Sequence, residues 1–139
     1  MSWIFFALLS AVFAAGVGIL GKIGLKTVDS TLATAVRSSI MAVFLVSVAL
    51  SLGKFKGIET LSGKPILFIA LSGLAGALSW LCYFFALKYG PASTVAALDK
   101  LSVVFVVILA ALFLGESFTW KTALGAVFIT VGALLFVIK

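Results

Sequence analysis

Three ionisable side chains stand inside apolar runs of this 139-residue chain: Arg37, Asp99 and Lys100. A charge at the centre of a lipid-crossing helix costs at least about 2.5–3.5 kcal/mol on insertion scales, and is kept where it faces a partner or a wet cavity. Arg37 lies five residues into its run, about 8 Å deep at the helical rise. Asp99 and Lys100 lie seven and eight residues into theirs, about 10–12 Å deep. Both runs enter from the same side and the depths nearly agree, so an Arg37–Asp99 ion pair fits. Lys100, about 100° further round its helix, is within reach of a cavity, a carbonyl or a lipid phosphate. Two readings stay open. One is a structural pair that fixes helix register, with Lys100 snorkelling. The other is the polar lining of a path across the bilayer. Two cations against one acid would favour anionic or zwitterionic ligands there, and a proton relay through Asp99 is a narrower version of the same reading.

A second group shares one helical face. Gly73, Gly76 and Ala77 lead into Trp80, Tyr83, Phe84 and Leu87. Small residues at one end and bulky ones at the other suit a tapering cavity, with Trp80 and Tyr83 as its apolar wall. A lipid-facing or core-facing stripe would look the same. Trp3, Tyr89 and Trp120 lie at run ends and read as interfacial anchors.

The elements that position these residues are membrane spans. The chain is 64% hydrophobic and 10% charged, against roughly 25% charged residues in soluble domains. Its mean hydropathy is +1.37. Five apolar runs are expected to be helices: Trp3–Gly21, Leu32–Leu52, Pro65–Leu87, Ala92–Leu114 and Thr119–Ile138. Each is close to the ~20 residues that cross the hydrocarbon, where only internally bonded backbone is stable. The fold class is an all-α membrane protein with five transmembrane helices in a single domain, residues 1–139. The first run, from Met1-Ser2-Trp3-Ile4, lacks a basic leader segment and is read as a retained helix.

Connections are short. Asp29-Ser30-Thr31 forms an N-cap signal for the second helix, and Pro65 opens the third. Gly90-Pro91 stops one helix and starts the next. Glu116, in the following turn, is placed to cap or solvate the start of the fifth. Small residues recur at four-residue spacing in Ser10, Ala14 and Gly18, in Ser72 and Gly76, in Gly73 and Ala77, and in Thr122, Ala126 and Thr130. Such rows let backbones approach closely in lipid.

Several chemistries are excluded. There is no His, and Cys82, a small packing residue within a span, is the single Cys. That removes a disulfide framework and a zinc site. No nucleophile–base pair, phosphate-cradling loop or paired carboxylates occur. The chain is read as non-enzymatic, without cofactor or metal. The +6 net charge is scattered singly at run ends, so a nucleic-acid patch is rejected.

Charge also bears on orientation. One side of the membrane would carry Lys54, Lys56, Lys64 and Lys121; the other would carry Lys22, Lys26, Lys88 and Lys139. Orientation follows a Lys/Arg excess on the cytoplasmic side, and this even split supplies none. Counting Arg37 and Lys100 tilts it towards the Lys22 side. Dual insertion and pairing with an inverted copy would make each chain one half of a ten-helix inverted-repeat transporter.

The residues also carry a resemblance. Ala86-Leu87-Lys88-Tyr89-Gly90-Pro91-Ala92-Ser93, the run from Leu98 to Val107, Phe113-Leu114-Gly115-Glu116 and the closing run from Gly125 to Gly132 resemble an EamA-type domain of the drug/metabolite transporter superfamily. Arg37 resembles that family's recurrent arginine near the start of the second helix. The resemblance covers the whole chain and is similar to the short, single-domain bacterial and archaeal branch. One departure stands out: Asp99-Lys100-Leu101-Ser102-Val103 occupies the place of a proline-containing stretch in many members. The resemblance implies a homodimer, parallel or antiparallel, in the inner membrane. The expected task is alternating-access transport, most often export, of a small metabolite or drug. The expected site residues are Arg37, Trp80, Tyr83, Asp99 and Lys100. A lipid-linked carrier flippase and a non-transporting assembly subunit are the alternatives.

Overall fold

The computed structural model describes residues 2–138. Met1 and Lys139, including the latter's place in the charge count, lie outside the described residues. The regular elements among the described residues are all helical: α1 (Ser2–Gly24), α2 (Ser30–Ser51), a 3-10 segment (Lys54–Thr60), α3 (Lys64–Tyr89), α4 (Ala92–Asp99), α5 (Ser102–Leu109), a π-helical turn (Ala110–Leu114) and α6 (Trp120–Leu135). Four stretches are long and apolar enough to cross a membrane: Trp3–Gly24, Ser30–Ser51, Lys64–Tyr89 and Ala92–Leu114. The protein is therefore a multi-pass, all-helical membrane protein.

Helix starts follow local chemistry. Asp29 is extended at φ −63° and ψ 140°, and its Oδ1 accepts from the Thr31 and Leu32 amides at 2.8 and 3.1 Å. It thereby satisfies two of the orphan donors that open a helix. Pro91 opens α4 from extended backbone and offers no side-chain bond. Thr119, not Glu116, caps α6: its Oγ1 accepts from the Thr122 amide, and Thr122 Oγ1 accepts from the Thr119 amide. The π turn closes at Gly115, whose φ of +67° suits a residue without a Cβ.

Two expectations are corrected. The fifth apolar helix spans Trp120–Leu135, 16 residues, rather than Thr119–Ile138. The apolar residues Phe136, Val137 and Ile138 follow it outside regular helix. The fourth span is also not one continuous helix. The Lys100 and Leu101 amides donate three residues back, to the Ala97 and Leu98 carbonyls at 3.1 and 3.0 Å. Those of Val103 and Val104 donate to the Lys100 and Leu101 carbonyls, both at 3.0 Å. This short 3-10 tightening takes from the Ala96 and Asp99 carbonyls the donors that an α-helix would supply.

The chain divides into two compact units, Ile23–Lys88 and the segments that flank it. In Ile23–Lys88 the buried residues are Leu25, Ser30, Thr34, Phe84 and Leu87. Thr34 Oγ1 donates to the Ser30 carbonyl at 2.7 Å. Lys88 Nζ donates to the Val28 carbonyl at 2.6 Å, fastening the α1–α2 loop to the end of α3. In the flanking unit α4 and α5 pack against α6, burying Val95, Ala110 and Ala133. Thr94 Oγ1 donates to the Phe136 carbonyl at 3.2 Å, and Lys22 Nζ to the Gly90 carbonyl at 2.9 Å.

Most other large apolar side chains are exposed, among them Phe44, Phe68, Phe105 and Phe128, as suits helices whose solvent is lipid. Hydroxyls on these helices turn inward: Ser39, Ser47 and Thr130 donate to carbonyls one turn back, at 3.0, 2.8 and 2.8 Å. That satisfies them without water. A Cβ built at Gly73 or Gly76 would meet no neighbour within 4 Å. Cys82 is exposed on α3.

Candidate functional site

Arg37 projects from the third turn of α2 in Ile23–Lys88. Across from it, α3 places Trp80, Tyr83 and Phe84 on one stripe, because residues three and four apart share a helix face. The Arg37 Cζ stands 3.7 Å from the Trp80 ring centroid and 5.5 Å from that of Phe84. The rings brace one another edge-to-face. Trp80 and Tyr83 centroids are 5.5 Å apart at 79°, and Trp80 and Phe84 are 5.9 Å apart at 63°. Tyr83 and Phe84 lie 6.2 Å apart at 55°.

Phe84 anchors the group from the core, at 3% exposure. Aromatic pairs of this kind add about 0.5–1.5 kcal/mol beyond their buried area, so the platform is stiff. A desolvated cation over such a face gains about 2 kcal/mol. Arg37 Nη1 is buried and has no hydrogen-bond partner. Leaving a buried donor unpaired costs about 1–3 kcal/mol, and more for a charged group. The stack therefore offsets part of that cost and leaves Nη1 without a directional bond. The concavity lined by Ala49, Lys54, Phe55, Ile58 and Leu61 lies at the other end of α2 and includes none of these residues.

Asp99 and Lys100 belong to the flanking unit, at the break between α4 and α5. Their charges meet each other: Lys100 Nζ lies 3.4 Å from Asp99 Oδ2. Both side chains stand open, at 59% for Lys100 and 38% for Asp99. Of the residues singled out from the sequence, the structure joins Arg37, Trp80 and Tyr83 in one cluster and Asp99 with Lys100 in another. Within its own unit Arg37 has its contacts on rings, and within its own unit Asp99 has its ion pair with the neighbouring Lys100. Phe84 completes the aromatic platform; its spacing from Trp80 was the signal for it. Among the described residues no three His, Cys, Asp or Glu side chains gather as metal ligands.

Outside the clusters, Trp3, Tyr89 and Trp120 stand exposed at helix ends, where amphipathic rings meet the lipid headgroups. Lys22 and Lys88 bond loop carbonyls, as described above, rather than only lining the membrane rim.

Comparison with known proteins supplies the wider frame. A protein of Sinorhizobium sp. described as an uncharacterized transporter in the cobO 3' region is 45% identical over 134 residues, covering 96% of this chain and 95% of that protein. No solved structure matches the chain. Residues 1–138 match the EamA-like transporter family, and the chain belongs to that family of membrane transporters.

Proposed function

We propose that the chain works as a pair of five-helix protomers that export a small metabolite or drug across the inner membrane by alternating access. Family membership and the relative described as a transporter support the class. The observation that carries the site is Arg37: a guanidinium held inside a lipid-crossing helix on the faces of Trp80 and Phe84. An intramembrane cation kept at such cost is a functional-site residue by default, and the aromatic faces beside it form the wall of a ligand site. The even distribution of loop lysines supports insertion in both orientations, and thus an antiparallel pair rocking about a midplane site.

Reporters active only inside or only outside the cytoplasm, fused after Lys139, test the pairing. Signal from both is the expected result. Signal from one alone sinks the antiparallel arrangement. Arg37→Ala tests the site. Cells expressing the wild type should accumulate less of a transported compound than cells expressing the variant, at equal membrane levels of protein. A variant that assembles less but transports normally per dimer would turn the reading towards an assembly role.

A further inference from the structure

Arg37 carries a charge that its own unit does not answer. Within Ile23–Lys88 the acidic residues are Asp29 and Glu59. Asp29 is occupied by the amides that open α2. Glu59 lies in the 3-10 segment beyond the far end of that helix. Asp99, the one acid within a span, is held by Lys100. The Asp99–Lys100 pair is therefore self-neutralising, whereas Arg37, in the third turn of α2, meets no acid of its own unit. Aromatic faces attract the guanidinium but offer its N–H groups only weak π acceptors, and Nη1 has no hydrogen-bond partner.

We infer that the site takes a small organic anion. A carboxylate or phosphate group draws Arg37 off Trp80, and the ligand's apolar body replaces it on the Trp80–Tyr83–Phe84 faces. The chemistry follows from the parts. A planar guanidinium presents a fork of donors that matches two anionic oxygens. Charge-assisted bidentate bonds are stronger and more directional than the stack they replace. Trp80 acts meanwhile as a parking place that keeps the cation out of lipid when no ligand is bound. The inference rests on the transport reading for its biological sense, but binding is measurable without flux.

Trp80 is itself the reporter. In a Trp3→Phe/Trp120→Phe background its emission is read alone, since these are the other tryptophans of the chain. Cyclohexanecarboxylate, cyclohexylammonium and cyclohexanecarboxamide form a matched set of anion, cation and neutral probe, transparent at the excitation wavelength. They are titrated into protein in maltoside micelles free of lipid. The carboxylate is expected to change Trp80 emission saturably and the other two are not. Arg37→Gln should weaken that response at least about tenfold, with Arg37→Lys intermediate and far-UV circular dichroism unchanged in both.

A response to the ammonium instead, or an undiminished carboxylate response in Arg37→Gln, overturns the inference. So does an unliganded Asp99→Asn emission shift as large as that of Arg37→Gln, which would make Asp99 the counter-charge. A lipid phosphate is the other source of the same chemistry. If nanodiscs containing phosphatidylglycerol change the emission without probe and block the carboxylate, while phosphatidylcholine nanodiscs do neither, the anion is a headgroup and the substrate assignment fails. Proteoliposome uptake of the carboxylate separates the two claims. Saturable binding without uptake sinks transport of this class and leaves the site; uptake without a Trp80 response sinks the site alone.

Discussion

Two regions of this protein keep charge inside apolar spans, and they do so by different means. On α2 a single cation lies on aromatic faces, the helix stays continuous, and no acid of its own unit pairs with it. On the fourth span two opposite charges occupy adjacent positions and meet each other, and the helix gives way at that point. Neighbours in sequence point about 100° apart on an α-helix and do not naturally face each other. The pair in the fourth span coincides with bonds three residues back and with two carbonyls deprived of their helical donors. Stacking thus leaves a net charge on an intact helix, whereas pairing leaves no net charge at a local break. The first arrangement is suited to taking up an external counter-charge and the second to bending.

The comparison breaks most severely at Trp80. Trp80→Ala removes the half-buried ring on which the Arg37 guanidinium lies. Transport should be lost with it. The diagnostic part is the coupling. A double-mutant cycle with Arg37→Met, read by thermal unfolding in detergent, should return about 1–2 kcal/mol between the two positions. Simple additivity would mean that the stack contributes nothing and that Arg37 is held by something else.

The fourth span should respond next most strongly, with a signature opposite to that of α2. Lys100→Gln leaves Asp99 charged and alone, so insertion of that span should worsen by about 2.5–3.5 kcal/mol. Adding Asp99→Asn should restore it to near wild type, because removing both charges removes the need for pairing. Arg37→Gln, by contrast, should improve insertion of α2 with no second change, since no partner is left stranded. A glycosylation-mapping assay on the isolated spans reads all three. If Lys100→Gln inserts like the wild type, the pair has no role in holding charge in this span.

How much of this was legible in the residues depends on the kind of information each feature needs. Hydropathy marks where a span can be, and four of the five expected spans have the length to cross. It does not register where a helix ends within an apolar run, so Phe136, Val137 and Ile138 read as helix although α6 stops at Leu135. Local caps were readable because they are contacts between near neighbours, as at Asp29 and Pro91. Glu116 misled because its charge suits a helix start, whereas the neutral Thr119 and Thr122 make the bonds. The helices that carry Arg37 and Asp99 were readable from the apolar runs around them. Azimuth was not, so the residues alone did not show that Arg37 faces the Trp80 and Phe84 rings. The break at Lys100 was invisible because bonds to residues three and four back leave the apolar pattern unchanged.

The smallest expected effect lies at the helix starts, and it too should fall on one side of the comparison. Asp29 caps α2, while Pro91 opens the fourth span and offers no titrating group. The Leu32 amide above all, with that of Thr31 and the positive charge of Lys88, holds the Asp29 carboxyl below its ordinary value of 3.8, against a smaller opposing effect of desolvation. The folded carboxyl therefore binds its proton less tightly than the unfolded one. Its contribution is complete above the ordinary value and disappears as pH falls through the lower, folded value. Amide exchange in detergent across about pH 5 to pH 2 should show protection in the first turn of α2 falling relative to the first turn of α4 once each is corrected for its intrinsic rate. Asp29→Asn keeps a neutral acceptor at the cap and should flatten that ratio. An equal decline in the variant would mean that the acid sensitivity of α2 arises elsewhere and that the carboxylate's charge adds nothing to the cap.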